Sequence, residues 1–149
     1  MDVEIGRDTL IALAAVAWSD GTIEAREAAG IRSAASQLGL TDADSQAVEE
    51  TLTRPVPLAE VETVRMNRLT RLFTYAVATW IAEIDGAVPP EEEAALRLLG
   101  DRLGLSAVAR DRAKRAGVAE AKAAGSAQAL DVLKLKARLS VGLSQIGND

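Results

Sequence analysis

The stretch WSDGTIEAREAAGI, residues 18–31, places an Asp-Gly pair ahead of Ile23, two positions past the glycine, and Glu27, seven positions past the aspartate. The same spelling returns as EIDGAVPPEEEAAL at residues 83–96. Sliding the chain on itself by 65 positions aligns Asp20 with Asp85, Gly21 with Gly86, Ile23 with Val88 and Glu27 with Glu92. The register continues without a gap through Ile31/Leu96, Leu38/Leu103, Gly39/Gly104, Leu40/Leu105 and Thr41/Ser106. One offset over so long a span predicts two copies of a single unit: helix, Asp-Gly turn, helix, Gly-Leu turn.

Each copy carries its own start and stop signals. Gly39 and Gly104 supply left-handed backbone at a helix C-terminus, and Thr41 and Ser106 stand where an N-cap hydroxyl belongs. Pro89-Pro90 mark a helix start, because proline is tolerated only in a first turn. Between the copies, TRPVPL at 53–58 breaks the chain. A long helix is expected from about Val64 to Ile84, with Leu69, Leu72, Phe73, Ala76, Val77, Trp80, Ile81 and Ile84 as its apolar stripe. Its counterpart, LIALAAVAW at 10–18, is apolar almost all round, which predicts burial on several sides. Residues 119–128 read as a loose connection, and a last helix sets Val132, Leu135, Leu139, Leu143 and Ile146 on one face, with Lys134, Lys136 and Arg138 elsewhere. That face is expected to close the core, with membrane or partner docking as the alternative.

Composition agrees. The 149 residues suit one domain, and with aromatics at 3% the interior must be filled by Ala, Leu, Val and Ile, which together with Arg and Glu favour helix. The expected architecture is a compact all-α bundle of about seven to eight helices with an internal pseudo-two-fold. It forms a single domain over 1–149: a first repeat at about 7–52, a linker at 53–63, a second repeat at about 64–118 and a C-terminal amphipathic helix at about 126–146. Cys and His are both absent, which removes disulfides, thiolate chemistry, soft-metal sites and the usual neutral-pH general base. No run reaches the ~18 apolar residues of a membrane span. The acidic N-terminus lacks a signal-peptide pattern, so a cytoplasmic location is expected. Residues 1–100 hold 17 acids and 8 bases, residues 101–149 hold 5 and 9. That spread predicts an acidic and a basic side, without the concentrated basic patch of a nucleic-acid binder.

The Asp-Gly turns admit two readings. Numbered as a calcium loop, the first halves are missing: positions 1 and 3 would be Val16 and Trp18, or Ile81 and Glu83. A hard cation needs 6 to 8 oxygens, so an EF-hand is rejected. As helix punctuation, Gly takes the positive φ, Glu27 and Glu92 reach back to the cap amide, and Ile23 and Val88 staple the turn. The remaining acids are more than capping needs. If the turns meet at one end of the domain, Asp20, Glu24, Glu27, Asp85, Glu91 and Glu92 would form a shallow site for Ca²⁺, Mg²⁺ or Mn²⁺, or for a basic partner.

Trp18 to Ile23 with Glu27, Glu83 to Val88 with Glu92, and the following Gly39-Leu40 and Gly104-Leu105 together resemble the TerB family of tellurite-resistance proteins. The turn is also similar to that of the acidic helical domain of a membrane-anchored DnaJ-type co-chaperone. The resemblance covers most of residues 7–118. It implies a compact helical fold with internal pseudo-symmetry, an acidic surface, a role in the response to tellurite and other toxic agents, and either metal binding or work within larger, partly membrane-associated protein complexes. Position 24, commonly a small capping residue in that family, is Glu here and its counterpart is Pro89, so the caps of the two copies are expected to differ. The function expected is thus a non-enzymatic stress-response module binding divalent cations or a basic partner, with no organic cofactor. The alternative is a protein interaction scaffold whose acids act only as caps. No P-loop, nucleophile elbow or dinucleotide fingerprint suggests an enzyme.

Overall fold

The computed structural model describes residues 7–58, 61–63, 66–82 and 90–124. Among these the regular structure is helical throughout: α1 (Arg7–Ala17), a 3-10 turn (Trp18–Asp20), α2 (Ala25–Leu38), α3 (Asp42–Thr53), α4 (Arg68–Ala82), α5 (Pro90–Arg102) and α6 (Ala107–Ala124). Six α-helices therefore stand where seven to eight were expected for the whole chain. The expected basic helix at 126–146 lies outside the described residues.

The core forms around α1 and α4. On α1, Leu10 and every residue from Ala12 to Ala17 are buried, as the all-round apolar pattern requires. α4 is buried at nearly every position from Leu69 to Ala82, with Phe73 and Trp80 the largest enclosed side chains. Each such side chain stabilises the fold by roughly 1.5–3 kcal/mol on burial. α1 packs against α2, α3, α4 and α5, while α4 packs chiefly against α6 and α1. The threonines that enter this interior satisfy their hydroxyls locally. Thr74 donates to the Thr70 carbonyl (2.8 Å), Thr79 to that of Tyr75 (3.0 Å), and the hydroxyls of Thr9 and Thr74 lie 3.1 Å apart.

Two boundaries differ from the sequence reading. α4 begins at Arg68, not near Val64, because the Asn67 side chain caps it by accepting from the Thr70 amide (2.8 Å). The preceding linker is held from elsewhere: Arg71 donates to the carbonyls of Thr63 (3.0 Å), Met66 (3.0 Å) and Leu103 (2.8 Å), and Arg102 to that of Val61 (2.6 Å). α6, in turn, continues to Ala124 through part of the expected loose connection. The alanine, lysine and glutamate of that stretch are strong helix formers.

Positions 65 apart recur in matching places. Gly39 and Gly104 take φ of +64° and +67°. Their amides donate to Ser36 and Asp101 carbonyls, and Thr41 and Ser106 cap α3 and α6 by accepting from the amides of Asp44 (3.2 Å) and Ala109 (3.1 Å). Glu27 and Glu92 are each only 6% exposed.

Candidate functional site

The first Asp-Gly turn is built as helix punctuation. α1 tightens into the 3-10 turn, and Gly21, at φ +92°, returns its amide to the Trp18 carbonyl (2.8 Å). Only glycine takes that backbone without strain. Trp18 anchors the turn by donating its indole N–H to the Thr51 carbonyl of α3 (2.6 Å). Ile23 tucks against the core, and Glu24 occupies the N-cap with extended backbone (φ −78°, ψ 152°). Glu27, at the third helical position, accepts the Glu24 amide at Oε1 (3.2 Å), completing a capping box. A large residue at position 24 therefore still caps.

In the second copy, α5 opens at Pro90, the first-turn position that proline tolerates. Glu91 and Glu93 are exposed beside the positive end of the helix dipole, while Glu92, third in the helix like Glu27, is buried. The 3-10 turn of the first copy packs against α5.

Of the six acids expected to make one site, the structure brings Glu24 and Glu27 together as a cap and puts Glu91 and Glu92 side by side on α5, one exposed and one buried. Asp85 and the Asp20 carboxylate lie outside the described residues. Among the described residues no group of three or more acidic side chains is placed to hold a metal ion.

A second feature lies between α2 and α3: an open groove of about 290 Å³, lined by Arg32, Ala35, Ser36 and Leu40 on one side and Ser45, Val48 and Glu49 on the other. Glu49 accepts from Arg32 Nε at both carboxylate oxygens (2.8 and 3.1 Å), and this bond holds the Arg32 guanidinium more firmly protonated than usual. The matching place between α5 and α6 is filled. There Arg110 donates from Nε to the Leu105 carbonyl (2.9 Å) and from Nη2 to Asp101 (2.7 Å), with its stem across Gly100. Burial raises the Tyr75 phenol above its ordinary range, and the nearby positive charge of Arg110 partly offsets this.

The family model of DUF533, described as a protein of unknown function, matches residues 4–116. The chain belongs to DUF533. No curated protein and no solved structure matches it. The match names DUF533 and carries no TerB assignment, and the all-helical fold is compatible with the family expected from the turns. Within this DUF533 chain the matched span takes in both caps, the α2/α3 groove and Arg110. Sequence reasoning overlooked Arg71, Arg110 and the groove. For Arg110 a signal existed: Gly100 in the interior of a helix marks a close approach, here by a guanidinium stem.

Proposed function

We propose that this DUF533 chain is a non-enzymatic protein interaction module, built from two copies of one helical unit, in which the repeated acids serve first as helix caps. The observation that carries this reading is the Glu27 carboxylate, buried and engaged by the Glu24 amide, so that one of the six candidate ligands already has a task in the fold. The two-copy origin is supported by the paired glycine φ values, the paired hydroxyl caps and the paired buried glutamates at a constant offset. The likeness of the turns to TerB supports a setting in the stress response, with protein partners rather than nucleic acid. In the described residues no helix is long and apolar enough to cross a membrane. The test is affinity capture with the full chain as bait, beside a chain ending at Gly125, with cooperative unfolding checked for both. Specific capture by the full chain is expected, and a folded bait that captures no protein in a stress-treated culture would refute the module.

A second reading, a hard-cation site at Asp20, Glu24, Glu27, Asp85, Glu91 and Glu92, is favoured by the packing of the first turn against α5, the helix that the second turn opens. Titration with Ca²⁺, Mg²⁺ and Mn²⁺ decides it. Amides of residues 20–27 and 85–92 that do not move at millimolar ion would remove it.

A further inference from the structure

We infer that the groove between α2 and α3 receives an arginine side chain from a partner protein, taking the place that Arg110 fills between α5 and α6. The inference rests on the interaction-module reading and names the chemistry of the partner.

The two helix pairs share one frame. Their connecting turns have the same glycine φ and the same hydroxyl cap, and the amides of Ser45 and Arg110 both bond four residues back, to Thr41 (2.8 Å) and Ser106 (2.9 Å). Within that frame Ser45 stands where Arg110 stands, 65 positions apart. In the second pair the arginine stem crosses Gly100 so closely that a Cβ built there would lie 2.7 Å from Nε. Its head bonds the Leu105 carbonyl and the Asp101 carboxylate. In the first pair a serine reaches none of this, and the volume that the arginine would fill is the groove.

What the groove offers matches a guanidinium on an aliphatic stem. Ala35 and Val48 supply apolar walls for the methylenes. Leu40, the counterpart of Leu105, lines the groove with Ser36 and Ser45, whose hydroxyls can accept. α3 carries Asp42, Asp44, Glu49 and Glu50 and no basic residue, and of these Glu49 lines the groove, beside Arg32 of α2. Glu49 is bound to Arg32 in a pair whose side chains are 56% and 51% exposed. A pair so open to water is weak, and an incoming planar fork can share the Glu49 carboxylate. The Ala35 methyl, replacing Gly100, seats the visitor farther out than Arg110, and this leaves room for a side chain arriving from outside.

The test is an amide NMR titration of the full chain with the tripeptide acetyl-Gly-Arg-Gly-amide, with acetyl-Gly-Leu-Gly-amide as control. The arginine peptide is expected to shift the amides of Ser36, Leu40, Ser45 and Val48 saturably and the leucine peptide to leave them in place. Ser45→Arg, which supplies the missing plug, is expected to weaken the arginine peptide at least tenfold. Should that variant fold poorly, Ala35→Gly with Ser45→Arg recreates the Gly100 and Arg110 pairing and serves instead. Equal shifts from both peptides, shifts mapping elsewhere, or undiminished binding to a folded plugged chain would overturn the proposal. Equal capture of a protein by the parent and plugged chains would also overturn it, while leaving the interaction module standing.

Discussion

The α2/α3 and α5/α6 pairs share the form of their connecting turn and differ in what fills them. Their turns use the same left-handed glycine and hydroxyl cap, yet one pair is closed by Arg110 and the other is open at Ser45. A second difference lies where each pair meets its central helix. Leu52 of α3, buried, corresponds to Gly117 of α6, and a Cβ at Gly117 would run into the Ala76 carbonyl of α4. Gly117 lets α6 lie on α4 backbone to backbone, whereas α3 buries a leucine at the matching position. The comparison teaches that the turns set the course of each pair, while the side chains between the turns decide which surface is sealed.

The largest way to break this comparison is Gly117→Leu, which gives α6 the residue that α3 carries. With a backbone carbonyl in the way, overpacking should cost about 3 kcal/mol, read as a lower urea midpoint. A change under about 1 kcal/mol would mean that the close approach is not obligatory. Next, Arg110→Ala should cost about 1.5 kcal/mol, from its bond to the Leu105 carbonyl and the packing of its stem, with its exposed partner Asp101 discounted. Arg32→Ala, in a pair exposed on both sides, should cost less than about 0.5 kcal/mol. Equal losses would erase the distinction between a plug and a surface pair. Between these two, Glu27→Ala should cost about 1 kcal/mol and Glu27→Gln less, because glutamine still accepts the cap amide. Thermal unfolding of the two variants side by side checks the order.

The smallest effect concerns protons. The Tyr75 phenol titrates above its unfolded value of about 10, so the folded state holds this proton more tightly. Its contribution is fully present below that unfolded value and is lost as pH rises through the folded one. Tyr75→Phe should therefore flatten the loss of stability between pH 9 and 11, roughly the phenol range, relative to the parent in urea melts. Leu10, the matching residue in α1, has no proton to lose. An unchanged alkaline limb would show that Tyr75 is not the group involved.

What the sequence disclosed was local chemistry. Gly21, Gly39 and Gly104 announce positive φ, Thr41 and Ser106 announce caps, and Glu27 announces a capping box, because each device acts within four residues of itself. The α4 stripe likewise shows in its period. The missed features work over distance: Arg71 reaches the Leu103 carbonyl across 32 positions, and no periodicity records that. Asn67 was hidden because a polar residue in a polar stretch gives no sign of being a cap. At the candidate site, the spelling located the acids but could not separate an acid engaged in the fold, as Glu27 is, from one open to solvent, as Glu91 is.

The hydroxyls of Thr9 and Thr74, 65 positions apart, bond to each other inside the core. Contact between matching residues is what an isologous dimer has at its dyad. On the two-copy reading proposed above, the seam of α1 and α4 has the character of a homodimer interface enclosed within one polypeptide. Either half by itself would leave an oily face open to water, so the two halves share a single interior and are expected to melt as one.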